Sequence, residues 1–287
     1  MRVSAYLTRL IENELETDNV SHDITANLLD ADRNPCTAAI TAKQEGVFSG
    51  EAVVNAFRAI FRDELQIHCV VSEGQVVKPG DTVVRLHATI SLCLSIERTL
   101  LNLLCHLCGV ATLTRKYVDA VGDNPTKILA TRKTLPGLRE VQLDAVVAGG
   151  GFIHRRSLSD GFLIKENHQA FVESSELIRR ARAKTSPLHG IEIEIQELTI
   201  LEQLASDWPD VIMLDNLEID QIRDALKTIN KRSRVEVSGG IEVYEVKPLA
   251  DLGVDYISVG KLTHSAPALD LSLDIIAEKL PGSKSHA

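Results

Sequence analysis

Residues 211–240 read VIMLDNLEIDQIRDALKTINKRSRVEVSGG. The apolar run Val211–Leu214 ends in Asp215-Asn216. A helical pattern, EIDQIRDALKTINK, comes next. A second apolar run, Val235–Val237, then ends in Ser238-Gly239-Gly240. Strand, helix and strand joined by short polar links make a βαβ unit with parallel strands. The same rhythm repeats on both sides, with candidate strands at Ile128–Ala130, Gly161–Ile164, Ile191–Ile195 and Tyr256–Val259 and another separating helix in FVESSELIRRARAK. Six such units in about 150 residues predict a small, incomplete α/β barrel.

Upstream the pattern differs. Residues 3–16 space Leu7, Leu10, Ile11 and Leu15 as one face of an amphipathic helix. From about 36 to 95 the runs are short and alternating (TAAITAK, LQIHCVVSEG, DTVVRLHATI), with turn residues such as Lys78-Pro79-Gly80-Asp81 between them. That predicts an antiparallel sheet with a helix near 50–64. Residues 94–121 hold apolar residues at helical intervals without proline, and read as one or two helices broken near Gly109. At the other end, LDLSLDIIAEKL reads as a last amphipathic helix and PGSKSHA as a disordered tail.

Composition narrows the function. The 287-residue chain is 44% hydrophobic and 25% charged, with a formal net charge of −9. An acidic protein lacks the basic footprint that neutralises nucleic-acid phosphates, so no nucleic-acid partner is expected. Five cysteines at irregular spacing argue against a disulfide framework and for a reducing compartment. No signal-type apolar core opens the chain and no run of 18 apolar residues occurs, so the expectation is a cytoplasmic enzyme without a membrane span. Cys105 and Cys108 stand one helical turn apart among leucines with no second pair to complete a zinc set, which favours core packing.

Barrel enzymes carry their chemistry at the C-terminal ends of the strands. The candidate strands lead into Thr131-Arg132-Lys133-Thr134, Lys165-Glu166-Asn167-His168, Asp215-Asn216, Ser238-Gly239-Gly240 and Gly260-Lys261, with Glu192 and Glu194 inside IEIEI. Loops are polar in any protein, but these residues are sorted: cations early, carboxylates in the middle, small residues late. The late Ser/Gly loops suit a phosphate approached by backbone N–H groups. Glu194 and Asp215 offer hard oxygens of the kind that hold Mg²⁺ together with substrate phosphates; the bland alternative is surface or ion-pair carboxylates, a reading stronger for Glu192. Arg132, Lys133, His154, Arg155 and Lys165, with Arg156 less central, form a cationic group suited to carboxylates and phosphates. A lone histidine is more often a packed residue, but His154 comes after Gly149-Gly150-Gly151 and is flanked by arginines.

Several stretches together carry a resemblance. They are His22-Asp23-Ile24-Thr25, Glu97-Arg98-Thr99 with Leu101-Asn102, Gly109-Val110-Ala111-Thr112, TRKTLPGLR from Thr131, GGG-x-x-HR from Gly149, LIKENH from Leu163, IEIE, MLDN from Met213, EVSGGI from Glu236 and GVDYISVGKLTHS from Gly253. With these motifs the chain resembles the quinolinate phosphoribosyltransferase family over nearly its whole length. The resemblance implies an α/β protein with an N-terminal α/β sandwich domain (1–111), a C-terminal, incomplete, seven-stranded α/β barrel (112–272) and a closing helix and tail (273–287). It implies transfer of phosphoribosyl from phosphoribosyl pyrophosphate to quinolinate, giving nicotinate mononucleotide, pyrophosphate and CO₂ with Mg²⁺, in NAD biosynthesis. By position, Arg98, Arg132, His154 and Arg155 hold the acceptor carboxylates. Lys133 and Lys165 contact substrate anions, and Glu194 and Asp215 lie near the ribose and Mg²⁺. Ser238, Gly239, Gly240, Gly260 and His264 cradle the 5-phosphate. Arg98 reaches the site of a partner subunit, so a homodimer or higher oligomer is implied.

The chain also departs from the family: Leu143-Asp144 replace Lys-Tyr, Ile153 replaces Asn, and Ser157 replaces Gly. These changes bear on the acceptor side. They leave open a paralogous phosphoribosyltransferase with another acceptor, such as the molybdenum-transport-associated branch. A non-catalytic phosphometabolite-binding protein is the third reading, disfavoured because Lys133, Lys165, Glu194 and Asp215 are all present.

Overall fold

The computed structural model describes residues 4–29, 34–186, 188–204 and 207–276, and the chain folds as two units. The first takes residues 1–113, 147–149 and the segment from 266 onward; the second takes 114–146 and 150–265.

In the first unit α1 (Ala5–Thr17) starts at Ser4, whose Oγ accepts the Leu7 N–H at 3.4 Å, and buries Leu7, Ile11 and Leu15 on one stripe. β1 (Pro35–Ala42), β3 (Gln66–Cys69), β5 (Thr82–Thr89) and β13 (Leu271–Ile276) form an antiparallel sheet in the order β13-β1-β5-β3. A two-stranded ribbon, β2 (Gly46–Val47) with β4 (Val76–Val77), lies outside it. α2 (Glu51–Phe61) packs on α1 and β3, burying Val53, Val54, Ala56 and Phe57. The helix expected near 50–64 is therefore present, and helices layered on an antiparallel sheet make the sandwich.

Two expectations fail here. LDLSLDIIAEKL is not a helix where the structure describes it. Leu271–Ile276 is a strand paired antiparallel with β1, from Thr37↔Ile276 to Ala42↔Leu271. Leu271, Leu273 and Ile275 satisfy period two as well as an approximate helical spacing, and the open edge of β1 decides between them. The remainder of that stretch and the tail, 277–287, lie outside the described residues. Nor does the chain break at Gly109. α3 (Ile90–Val121) runs unbroken for 32 residues. A Cβ at Gly109 would lie 2.1 Å from the Pro267 carbonyl oxygen, so the glycine permits a close backbone approach and not a bend. By length and composition α3 could span a bilayer. Leu100, Leu104 and Leu107 on it are buried within the protein, as are Cys108 and Val110.

The second unit is built on seven parallel strands: β6 (Lys127–Ala130), β7 (Phe152–Ile153), β8 (Phe162–Ile164), β9 (Ile191–Ile195), β10 (Val211–Asp215), β11 (Arg234–Ser238) and β12 (Tyr256–Val259). Their order is β7-β6-β12-β11-β10-β9-β8. No pairing joins β7 to β8, so the barrel is incomplete. Six strands match the sequence reading closely. The seventh, β7, is two residues long and too short to carry any periodicity. Between strands lie α4 (Arg139–Ala148), α5 (Glu166–Gln169), α6 (Ser174–Lys184), α7 (Thr199–Gln203), α8 (Ile219–Ile229), α9 (Val243–Asp251) and α10 (Lys261–His264).

Candidate active site

Alternation along the strands decides which side chains meet. On β9, residues 192 and 194 share a face, and both carboxylates are buried inside the barrel. The register aligns Glu194 with Met213 and Met213 with Glu236; one layer on, Asp215 aligns with Ser238. Lys165, just past β8, comes level with Glu194, and its Nζ pairs with Glu194 Oε2.

These residues line a pocket of about 350 Å³ at the C-terminal strand ends. On one side are Arg132, Lys133, His154, Arg155 and Lys165; on the other are Glu194, Asp215 and Ser238. Eight of the thirteen residues singled out from the sequence thus meet in one cavity. Gly260 and His264 stand beside Lys133: a Cβ on Gly260 would meet Lys133 Cδ at 3.1 Å and His264 Nε2 at 3.2 Å. Gly239, with φ +116°, lies against Asn216, whose Oδ1 would be 2.5 Å from an added Cβ. Gly240 comes next at φ +61°. Arg98 belongs to the first unit, on α3, largely exposed and 3.6 Å from Glu97.

The electrostatics of this pocket are lopsided. Arg132, Lys133 and Arg155 make no ion pair among the described residues, and Arg132 Nε is buried without a hydrogen-bond partner. Burial and the neighbouring Arg132 lower the Arg155 pKa. Burial raises the Glu194 pKa; the Lys165 ion pair opposes that shift, while the nearby Glu166 and Asp215 carboxylates add to it. Asp215 Oδ2 accepts from Asn216 Nδ2 at 2.7 Å. Such a site can hold an anion on its cationic side and stabilise positive charge on its carboxylate side.

Two groups escape the sequence reading, Glu236 and Ser258, and both line the pocket with His154. His154 Nε2 lies 2.6 Å from Glu192 Oε2 and 3.4 Å from Glu236 Oε2. Glu192 is therefore the ion-pair carboxylate that the sequence suggested, with His154 as its partner. The donor atoms of His154, Glu192 and Glu236 lie within 4.8 Å of one another, a spacing a divalent metal could use. Glu236 is 1% exposed, and burial with the adjacent Glu192 charge pushes its pKa up to about 8. Ser258, also buried, stands beside Glu236, and its hydroxyl opposes that upward shift. One signal is available in the sequence: Glu236 sits between two valines of a strand that ends inside the site.

The departures from the family pattern lie elsewhere. Leu143 is fully buried on α4, Asp144 meets Arg156 at 3.5 Å, and Ser157 hydrogen-bonds Asp160 Oδ1 at 2.7 Å. Ile153 lines a second cavity, of about 340 Å³, that shares His154, Arg155 and Glu236 with the first. None of the four lines the strand-end pocket.

Fold and site together define an α/β-barrel protein with a pocket lined by both cations and carboxylates at the C-terminal strand ends. The quinolinate phosphoribosyl transferase N-terminal domain model matches residues 23–108, and the C-terminal domain model matches 110–274. Nicotinate-nucleotide pyrophosphorylase (carboxylating) of Mycobacterium leprae is 36% identical over 252 residues, covering 83% of this chain and 86% of that protein. The structure of the nicotinate-nucleotide pyrophosphorylase from Francisella tularensis superposes with a TM-score of 0.87 at 35% identity, over 94% of this chain and 96% of that one. The Ehrlichia chaffeensis structure of the same name gives 0.88 at 34% identity, over 96% and 100%. The chain belongs to the quinolinate phosphoribosyl transferase family.

Proposed function

We propose that this protein transfers phosphoribosyl from phosphoribosyl pyrophosphate to quinolinate, releasing pyrophosphate and CO₂ and forming nicotinate mononucleotide for NAD biosynthesis. The observation that carries this is the pocket in which Arg132, Lys133 and Arg155, without an ion pair among the described residues, stand together with the carboxylates Glu194 and Asp215. An acceptor dianion and a phosphorylated, pyrophosphate-bearing donor are together the complement of that charge pattern. Family membership and the relatives' names point the same way.

In this reading Arg132, Arg155 and His154 hold the acceptor carboxylates and aim the pyridine nitrogen at the ribose C1. The C1–O bond to pyrophosphate breaks with oxocarbenium character, which Glu194 and Asp215 stabilise from the carboxylate side. Lys133 and Lys165 receive the charge of the departing pyrophosphate; Lys165 exchanges its hold on Glu194 for the leaving group. The 5-phosphate rests on Ser238, Gly239, Gly240, Gly260 and His264. A positive ring nitrogen then draws the electrons of the adjacent C–CO₂⁻ bond; CO₂ leaves and the ring carbon takes a proton. Two carboxylates on neighbouring strands, all oxygen donors, fit Mg²⁺ held mainly by substrate phosphates. Bound so, Mg²⁺ supplies charge for the pyrophosphate. The working form is a cytoplasmic homodimer, with Arg98 entering the partner's site.

Purified protein with Mg²⁺, phosphoribosyl pyrophosphate and quinolinate should yield nicotinate mononucleotide and CO₂ in equal amounts. Donor binding without product at high enzyme concentration would overturn the reading. Pyrophosphate release with another pyridine or purine acid, and none with quinolinate, would move the chain to a paralogous branch.

A further inference from the structure

The proposed reaction gives His154 a task but gives none to Glu192 or Glu236. Both carboxylates lie inside the barrel, in residues 7% and 1% exposed. They come from β9 and β11 and meet at the ring that follows β7: His154 Nε2 stands 2.6 Å from Glu192 Oε2 and 3.4 Å from Glu236 Oε2. One donor atom from each of the three residues lies within 4.8 Å of the other two. Buried carboxylates are paired or bound to metal, because removing their charge from water is costly. Among the described residues only His154 forms an ion pair with either of them. A separate observation points the same way. Glu192 Oε1 is buried and has no hydrogen-bond partner. An idle oxygen of that kind calls for a donor or a cation.

We propose that His154, Glu192 and Glu236 form a zinc site, separate from the Mg²⁺ position at Glu194 and Asp215. Zinc takes imidazole nitrogen and carboxylate oxygen together, and three protein ligands leave its fourth position open. Mg²⁺ and Ca²⁺ prefer oxygen alone and more ligands, so the imidazole selects against them. The charge of Zn²⁺ matches the two carboxylates, which a single imidazole does not. All three residues line the cavity of about 340 Å³, which leaves room for a water or an anionic ligand on the fourth position. The site does not depend on which acceptor the enzyme uses.

The spacing is close to what zinc needs. Bonds of about 2.0–2.2 Å set the corners of a zinc tetrahedron roughly 3.3–3.6 Å apart. His154 Nε2 and Glu236 Oε2, at 3.4 Å, already stand at that spacing. The His154–Glu192 contact is shorter. It opens by less than about 1 Å to admit the ion, or Glu192 turns its idle Oε1 forward. Of the other charged groups that line this cavity, Lys127 and Arg155 repel an ion and Asp160 attracts it. The two carboxylates bound to the ion outweigh them, because the attraction grows as the distance shrinks.

The test loads the full chain with Zn²⁺ in excess Mg²⁺, without substrate, and removes loose metal by gel filtration. Roughly one Zn²⁺ per chain should remain. X-ray absorption at the zinc edge should show nitrogen and oxygen neighbours at about 2.0–2.2 Å and no sulfur at about 2.3 Å. Loss of an outer-shell partner alone costs roughly 10–100-fold in metal affinity, so H154N, E192Q and E236Q should each weaken zinc binding at least about a hundredfold. E194Q should leave it nearly unchanged. Sulfur neighbours would assign the ion to the free cysteines. Zinc displaced by Mg²⁺, or lost in E194Q, would assign it to the Mg²⁺ position. No retained zinc would leave the three side chains an ion-pair cluster only. Each of these results overturns the proposal, and the spectrum of the unaltered protein decides it even where a variant fails to fold. Inactivity on quinolinate would sink the acceptor assignment and leave the zinc result standing.

Discussion

At the scale of single residues the site is a set of charges held out of balance. Lys165 and Glu194 form a cation–carboxylate pair at its centre, and the mechanism needs the two to part. K165A should lower kcat/KM by about 10²–10³, since it removes a donor aimed at developing charge. E194Q should lower kcat by a similar amount while leaving donor affinity nearly unchanged, because the carboxylate acts on the transition state. Steady-state kinetics separate these outcomes; equal loss in kcat for a residue outside the pocket, such as Lys227→Ala, would make the assignment meaningless. The charged residues past each strand are legible because strand-end position and residue type both mark them. Glu236 is not. A glutamate inside an apolar strand carries no local sign of which neighbours it faces; only the register with β10 and β12 places it behind His154.

At the scale of elements, strand–helix alternation marks the barrel, while the failures cluster where two periods coincide or where a glycine has two uses. Leu271–Ile276 fits both a strand and a helix, and a distant edge, β1, settles it. Deleting residues from 270 onward should expose that edge and lower the denaturation midpoint of the first unit or make the protein aggregate; an unchanged urea curve would show β13 to be dispensable. Gly109 looks like a breaker because glycine weakens helices by about 1 kcal/mol. Its backbone contact with Pro267 predicts that Gly109→Ala destabilises by about 1–3 kcal/mol, although alanine is the better helix former. Gly239 is a harder constraint. With φ +116° and Asn216 at 2.5 Å from an added Cβ, Gly239→Ala should distort the loop after β11. The expected result is a donor KM raised about tenfold or more, with the quinolinate Kd little changed, since the strain sits on the phosphate side.

At the scale of the whole molecule, the net charge of −9 and the local excess of cations belong together. An acidic exterior repels stray polyanions, and the cations of the pocket attract the doubly charged acceptor and the donor. Its arginines and histidine come from the segments after β6 and β7, but Arg98, the fourth acceptor contact implied by resemblance, stands on α3 in the first unit, with a side chain two-thirds exposed and Glu97 3.6 Å away. An exposed arginine at 3.6 Å from a single carboxylate gains little from that contact, so it is free to serve elsewhere. In an isologous dimer each subunit would lend its Arg98 to the other's pocket. R98A and K165A chains should each be nearly inactive alone. Mixed and refolded together in equal amounts, they form hybrids in half of the dimers. In each hybrid one site draws Lys165 and Arg98 from the chains that still have them, and the other site lacks both. The expected recovery is about a quarter of the original activity, because half of the dimers regain one of two sites. Mixtures that stay as inactive as their parents, with hybrid dimers demonstrated by mass, would place Arg98 outside the partner's site and leave the acceptor to Arg132, His154 and Arg155 alone.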